Sequence, residues 1–347
     1  QGTETAEGKE ALREKAKILF ETEKFEELKN FIQEHIARNE NDPALPALFG
    51  HACWRLKEYA SAAAAYDRAF ELDEKNGIYA VNAAAIYEEM GKRQRALKRY
   101  LAGGRAFLGQ DNYAELGELI PKLLALGEKN WEARALAGKW AFGVEDFDRA
   151  ETELALSEKI RRRKRTQPAP DPAVSFLRGL LLVRKGRRQE ASRFLEEAAH
   201  IAPGYGLFRF RLAENRYLSC GDAQDSLVTQ ELKATLDLMP DDGWVNNFAA
   251  QISLAVNDLD SAGRYLEKAA LTLGEVPAIR VNRGVLAYLR GSLDDALKIL
   301  NAEKRDDPEG LLSNCAGNLL VRSGDFEKAD LYYRKALNNA PGNLEYL

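Results

Sequence analysis

The stretch GDFEKADLYYRKALNNAP, Gly324–Pro341, places a glycine, aromatic residues, alanines and a proline at regular offsets. Ala329 and Ala336 stand five and twelve residues after the glycine. The stretch NDLDSAGRYLEKAA, which starts at Asn257, has alanines at the same two offsets. Further complete or partial copies start at Lys57, Glu145 and Gly186. A pattern that recurs in register along a chain indicates a structural repeat.

A second amphipathic segment precedes each copy and carries a small residue near its middle. In five of these segments the small residue is a glycine: Gly50, Gly138, Gly179, Gly284 and Gly317. Two antiparallel helices come close only where glycine or alanine lies at their crossing point, with larger side chains in the neighbouring gaps. Glycine at the turn adopts a positive φ at low cost, and proline does not continue a helix interior. The pattern therefore predicts units of two antiparallel helices joined by a tight turn.

The small residue of the first helix, the aromatic residue and two alanines of the second, and the closing proline together resemble the tetratricopeptide repeat, or TPR. With this motif as a ruler, units start near Lys9, Pro43, Gly77, Trp131, Pro172, Leu207, Gly243, Pro277 and Gly310. All but two of the steps between these starts measure 33 to 36 residues. The resemblance covers almost the entire chain. It implies an all-α, right-handed superhelical solenoid of stacked antiparallel helix pairs, with about nine TPR-like units plus one extra helix.

Two longer steps mark irregular segments. The step of 54 residues includes DNYAELGELIPKLLALGEKN, 111–130, which we expect to form an additional helix. The step of 41 residues includes RRRKRTQPAPDP, 161–172, in which charge and three prolines predict a helix end and an extended loop. The predicted order starts with a disordered lead at 1–8, whose Gln-Gly start resembles a remnant of tag removal. TPR-like units follow at 9–110, then the extra helix at 111–130, one unit at 131–160, a basic insertion at 161–171 and further units at 172–342. Residues 343–347 are predicted to be the start of a further helix or a truncated end.

The composition limits the classes of function. Lys and Arg number 50 against 54 Asp and Glu, so the nearly balanced charge favours neither a generic nucleic-acid binder nor an acidic tail. No run of 18 apolar residues is present, so we expect no membrane span in this segment. The scattered histidines and cysteines fit no metal-ligand or nucleophile motif, and no phosphate-binding glycine loop occurs. We therefore expect no enzymatic activity, no catalytic residue, no metal and no cofactor.

The resemblance to the TPR family implies that ligand-facing side chains come mainly from the second, fifth, sixth, ninth and twelfth places of a unit. In the units between about Leu207 and Asn318, several of these places carry amides or a cation: Arg211, Asn215, Asn247, Gln251, Asn282, Asn314 and Asn318. Because asparagine is a mediocre helix residue, its recurrence on one face requires an explanation, and one explanation is a binding role. Its amide can donate to and accept from an extended peptide backbone. The alternative is that these are ordinary surface amides, or that they satisfy neighbouring helix ends.

Aromatic residues occupy second or twelfth places in several units. They are Trp54, Phe142, Phe208, Trp244 and Tyr288. Such residues either offer apolar anchors to a partner or pack between adjacent units, on which the stability of a solenoid depends. Packing is the simpler explanation for most of them.

A run of basic residues ends the predicted helix before the insertion: Arg161, Arg162, Arg163, Lys164 and Arg165. The simplest interpretation is a solvated helix terminus, because cations are favoured at the C-terminal end of a helix. The alternative is a basic patch that attracts acidic protein, nucleic acid or lipid. Few aromatic residues are interleaved with these cations, which disfavours nucleic acid.

The expected function is a non-enzymatic protein–protein interaction scaffold or adaptor that binds a partner segment along the concave face of the superhelix. Two alternatives stay open: a chaperone-like cradle for extended client peptides, and a targeting module of a larger enzyme whose catalytic part lies outside this segment. The expected partner is a protein or peptide and not a small-molecule substrate, and self-association is also open. We expect a soluble segment, in the cytoplasm or in a cell-envelope compartment.

Overall fold

The computed structural model describes residues 6–35, 41–166, 168–301 and 307–341, and in these ranges it contains 19 α-helices and no strand. The chain divides into two compact bodies, Gln1–Pro170 and Asp171–Leu347, here called the N-terminal body and the C-terminal body. Among the described helices, none combines the length and the apolar composition needed to cross a lipid bilayer.

The described part of the N-terminal body consists of four helix pairs and one additional helix. The pairs are α1 (Ala6–Glu21) with α2 (Phe25–His35), α3 (Ala44–Arg55) with α4 (Tyr59–Leu72), α5 (Gly77–Glu89) with α6 (Arg93–Leu108), and α8 (Trp131–Gly143) with α9 (Phe147–Arg163). The additional helix, α7 (Tyr113–Leu126), packs against α6 and α8 and lies inside the segment predicted to form it.

The described part of the C-terminal body consists of five helix pairs. They are α10 (Pro172–Arg184) with α11 (Arg188–Ile201), α12 (Gly206–Cys220) with α13 (Ser226–Leu238), α14 (Gly243–Ala255) with α15 (Leu259–Leu273), α16 (Pro277–Leu289) with α17 (Leu293–Leu300), and α18 (Leu311–Ser323) with α19 (Phe326–Asn339). The prediction of an all-α array of nine helix pairs plus one extra helix is therefore confirmed over the described residues, with the pairs stacked on their neighbours inside each body.

The ends of some elements differ from the predicted boundaries. Helix α1 begins at Ala6, inside the segment expected to be a disordered lead. Helix α9 continues to Arg163, so the first three residues of the predicted basic insertion are helical. The predictions for residues 1–5 and for the terminal segment 343–347 lie outside the described residues.

The glycines of the first helices lie where the second helix of each pair crosses. A Cβ atom on Gly138 would stand 2.6 Å from Cγ of Leu154, and one on Gly179 would stand 2.7 Å from Cδ2 of Leu195. Both leucines are fully buried. Gly50, Gly284 and Gly317 meet Tyr66, Leu300 and Tyr333 in the same way. Close approach of the two backbones is therefore the reason for the small residue in this place.

The tight turn inside a pair does not require glycine. Gly186 and Gly324 adopt φ values of +73° and +85° at this turn. In other pairs the equivalent residues are Lys57, Glu145 and Asn257, with φ of +63°, +61° and +62°. A left-handed conformation costs an L-residue about 1 to 2 kcal/mol, which the packing of a complete helix pair outweighs.

Candidate functional site

The C-terminal body contains a groove with a volume of about 420 Å³ that runs along the first helices of three consecutive pairs. Helix α12 contributes Leu207, Phe210, Arg211 and Glu214, helix α14 contributes Trp244, Asn247, Phe248 and Gln251, helix α16 contributes Ala278, and the α13–α14 connection contributes Met239 and Asp242. The groove brings together three of the predicted binding residues, which are Arg211, Asn247 and Gln251. It lies on the first-helix side that the resemblance to the TPR family implies.

Local capping fixes the start of α14 and hence the groove residues on it. The Asp242 carboxylate accepts a hydrogen bond from the backbone N–H of Val245 at 2.9 Å. The fully buried Asn246 side chain donates to the carbonyl groups of Pro240 and Asp242 at 2.9 and 2.8 Å. An N-cap of this kind satisfies helix N–H groups that have no partner within the helix. One face of α14 is thereby directed into the groove, because residues three and four positions apart share a face.

Aromatic side chains form the apolar part of the groove. The rings of Phe210 and Phe248 meet edge to face, with centroids 5.9 Å apart, and both residues are 5% exposed. Trp244, in contrast, is 50% exposed. A large aromatic residue that stays open to solvent beside a groove is the type of side chain that dominates binding energy at protein interfaces. Of the two explanations offered for Trp244 in the sequence, an apolar anchor therefore fits better than packing between units.

The charged side chains of the groove offset one another. The Arg211 guanidinium donates to the Glu214 carboxylate at 2.7 Å, and its carbon lies 5.2 Å from the centroid of the Phe210 ring. Asp242 adds a second negative charge, on the carboxylate that caps α14. The lining thus carries one cation and two anions. It does not form a positive site for an acidic ligand.

Two of the predicted amides form a hydrogen bond between neighbouring helix pairs. Nδ2 of Asn282, on α16, donates to Oδ1 of Asn247 at 2.9 Å and lies 3.4 Å from the backbone oxygen of the same residue. Both residues are 9% exposed. Asn247 lines the groove, whereas Asn282 lies behind it and holds the Asn247 side chain.

The remaining predicted amides do not line this groove. Asn215 is 2% exposed and donates through Nδ2 to the carbonyl group of Arg188 and to Oγ of Ser192, so it joins α12 to α11. The expectation that Asn215 faces a ligand is therefore replaced by a packing role. Asn314 is half-buried on α18, and Asn318 is exposed and accepts a hydrogen bond from the Tyr333 hydroxyl at 2.7 Å.

The predicted basic run does not present five equivalent cations. The Arg161 side chain is buried, donates twice to the Glu158 carboxylate at 2.8 and 2.7 Å, and also donates to the carbonyl group of Pro168. Arg162 donates to Glu158 as well. Burial opposes ionisation of Glu158, but these hydrogen bonds hold the pKa of its carboxyl below the ordinary value. Only the last three residues of the run, Arg163, Lys164 and Arg165, are exposed without this pairing.

The cysteines behave as packing residues or as an isolated surface thiol. Burial raises the pKa of the Cys53 and Cys315 thiols to about 11, so both stay protonated and unreactive at neutral pH. Cys220 is exposed. Within the described ranges, no three His, Cys, Asp or Glu side chains converge in a way that would hold a metal ion.

Comparison with known proteins agrees with this architecture. A sequence model described as the tetratricopeptide repeat matches residues 47–76 and 316–343. A TPR repeat-containing protein of Treponema pallidum (strain Nichols) is 29% identical over 347 residues, which are 95% of this chain and 41% of the relative. The chain thus spans about two fifths of the length of that relative.

A solved structure shows the same fold. The crystal structure of the APC/C hetero-tetramer Cut9–Hcn1 contains a chain that superposes with a TM-score of 0.54 at 11% identity, over 95% of this chain and 80% of the matched one. At such low identity the similarity shows a common fold and does not indicate which partner this chain binds. Together with the helix pairs and their crossing glycines, these matches show that the chain contains tetratricopeptide repeats and that its fold is that of a multi-repeat array.

Proposed function

We propose that this segment is a non-enzymatic scaffold or adaptor, and that the groove along α12, α14 and α16 holds an extended segment of a partner protein. The observation that carries the proposal is the half-exposed Trp244 beside the side-chain amides of Asn247 and Gln251 on one helix face. Stacked repeats use their extended inner surface for binding. The tetratricopeptide repeats matched in the chain support protein interaction as the general role.

The composition of the groove favours a polypeptide as its ligand. Apolar surface from Phe210, Trp244 and Phe248 lies next to side-chain amides. An apolar side chain of a partner can pack against the aromatic residues while the backbone of the same partner segment forms hydrogen bonds with the amides. A partner segment that binds in an extended form exposes its backbone groups to such amides. We expect the binding energy to be concentrated at Trp244, because buried aromatic anchors dominate interfaces.

The test compares three forms of the chain: wild type, Trp244→Ala and Leu271→Ala. Leu271 is 86% exposed on α15, so Leu271→Ala removes exposed apolar surface from the same body but outside the groove. Each form, carrying the photo-crosslinking residue benzoylphenylalanine in place of the groove residue Ala278, is irradiated in lysate of cells that produce the chain. Crosslinked peptides are then identified by mass spectrometry.

The expected result is one or a few linear partner segments that crosslink to wild type and Leu271→Ala and are lost with Trp244→Ala. Retention of the same crosslinks by Trp244→Ala would show that the partner does not use this groove. A broad, weak set of unrelated segments that Trp244→Ala also loses would retain the groove but favour the client cradle over the scaffold.

A further inference from the structure

We infer, on the basis of the proposed function, that the groove recognises main-chain carbonyl groups of an uncharged, extended partner segment. Asn247 acts in this recognition as a hydrogen-bond donor only. Asn282 acts as a positioning residue, because it determines which end of the Asn247 amide faces the partner. An apolar side chain of the same partner segment packs against Trp244.

The polarity of the Asn247 amide follows from its contacts with Asn282. A backbone carbonyl oxygen only accepts hydrogen bonds. The Asn282 side-chain atom that lies 3.4 Å from the Asn247 backbone oxygen is therefore its nitrogen. The same nitrogen lies 2.9 Å from the Asn247 side chain, so the Asn247 atom at that position is the acceptor, Oδ1. The NH2 group of Asn247 is the part of the amide that remains.

This NH2 group is the part of the amide that can donate to a ligand. Asn247 is 9% exposed and lines the groove. Its Nδ2 is not one of the buried polar atoms that lack a hydrogen-bond partner among the described residues, so it stays in contact with solvent. An acceptor on a ligand takes the place of that solvent, whereas a second donor would face a donor. The groove therefore suits an acceptor at this position.

The spacing of the two α14 amides matches an extended chain. Asn247 and Gln251 are four residues apart on the helix, a rise of about 6 Å. In an extended strand, carbonyl groups of alternate residues point to the same side and are about 6.6 Å apart. The exposed Gln251 side chain is long enough to adjust to the difference. The two amides therefore fit carbonyl groups of two partner residues separated by one residue.

The charges in the groove identify the acceptor as a carbonyl group and not a carboxylate. The only cation of the lining, Arg211, is paired with Glu214, and Asp242 adds another negative charge. An incoming carboxylate would meet two anions against one paired cation, which is unfavourable. A neutral backbone carbonyl group does not incur this repulsion.

The test uses the full chain and a library of random linear peptides of about twelve residues displayed on phage, selected on the immobilised protein. The tightest peptide is synthesised with a free and with an amidated C-terminus, and dissociation constants are measured by fluorescence polarisation. We expect equal affinity for the two forms and at least roughly tenfold weaker binding to Asn247→Asp, which replaces the donor by an acceptor. Gln230→Glu adds the same charge at an exposed position on α13 and should bind like wild type.

A second measurement leaves the protein unchanged. Each main-chain carbonyl group of the peptide is replaced in turn by a thiocarbonyl group, which is a weaker acceptor. We expect roughly threefold or greater weakening at two positions separated by one residue. In Asn282→Leu, the sensitivity at one of these two positions should disappear, because the Asn247 amide is no longer held in one orientation.

The outcomes separate the inference from the proposed function. If Trp244→Ala abolishes binding while Asn247→Asp and every thiocarbonyl peptide bind normally, the groove holds a partner but carbonyl recognition is wrong. A peptide that requires its free C-terminal carboxylate also overturns the inference. If no peptide is selected, or if the selected peptides bind Trp244→Ala as well as wild type, the proposed function fails and the inference fails with it.

Discussion

The crossing glycine of a helix pair offers a direct test of how this fold is held together. The substitution Gly179→Ala adds a single Cβ atom in the middle of α10. That atom would stand 2.7 Å from Cδ2 and 2.8 Å from Cγ of Leu195, a fully buried side chain of α11. Carbon atoms in contact normally lie about 3.5 to 4.0 Å apart, so either Leu195 or the whole of α11 must move.

Two opposing effects set the magnitude. Alanine is more favourable than glycine in a helix interior by about 1 kcal/mol, whereas overpacking a core costs about 1 to 3 kcal/mol. The net expectation for Gly179→Ala ranges from neutral to about 2 kcal/mol of destabilisation. In a Leu195→Ala background the clashing atoms are absent, so the same change should stabilise by about 1 kcal/mol. The sign of the effect thus depends on Leu195.

Hydrogen exchange measured by mass spectrometry is the suitable assay, because repeat arrays do not always unfold in one cooperative step. The exchange free energies of amides in α10 and α11 are compared for wild type, both single variants and the double variant. Gly204→Ala serves as the control, since an added Cβ there would have no atom within 4 Å. A coupling energy between Gly179→Ala and Leu195→Ala indistinguishable from zero would refute the close-packing explanation.

Two further predictions concern ion pairing and pH. The Glu231 carboxylate pairs with Arg209 at 2.8 Å and with Arg216 at 3.5 Å, and its side chain is 13% exposed. Glu231→Gln should therefore destabilise the C-terminal body by roughly 2 kcal/mol, between the values for exposed and buried ion pairs. Glu190→Gln, on the surface, is the control in thermal melts, and equal melting temperatures of the two variants would contradict a structural role for the Glu231 pairing. Burial, with a smaller effect of Arg55, lowers the pKa of His51 below its ordinary value. The unfolded chain therefore binds the proton more readily, and the stability of the fold decreases as pH falls through about 6.5 towards the folded-state pKa. His51→Gln should flatten this part of the stability–pH curve, and an unchanged slope would contradict this role of His51.

The predicted groove residues show where reasoning from sequence stops. Asn247, Gln251 and Arg211 were found by their places in the repeat, and they do line one groove. Asn215 occupies an equivalent place but bonds to the preceding helix pair. The residues near Asn215 and Gln251 in the sequence give no sign of this difference. The difference depends on which groups of another helix pair come within hydrogen-bond distance.

The sequence by itself determined the architecture. Helix pairing depends on a small residue at each crossing and on apolar residues at helical spacing, and both are local patterns that repeat along the chain. Tertiary structure alone decided the chemistry of the groove. The orientation of the Asn247 amide is set by Asn282, 35 residues away, and the exposure of Trp244 is set by the space that neighbouring pairs leave around it. Such contacts join residues that are distant in sequence, so no local pattern encodes them.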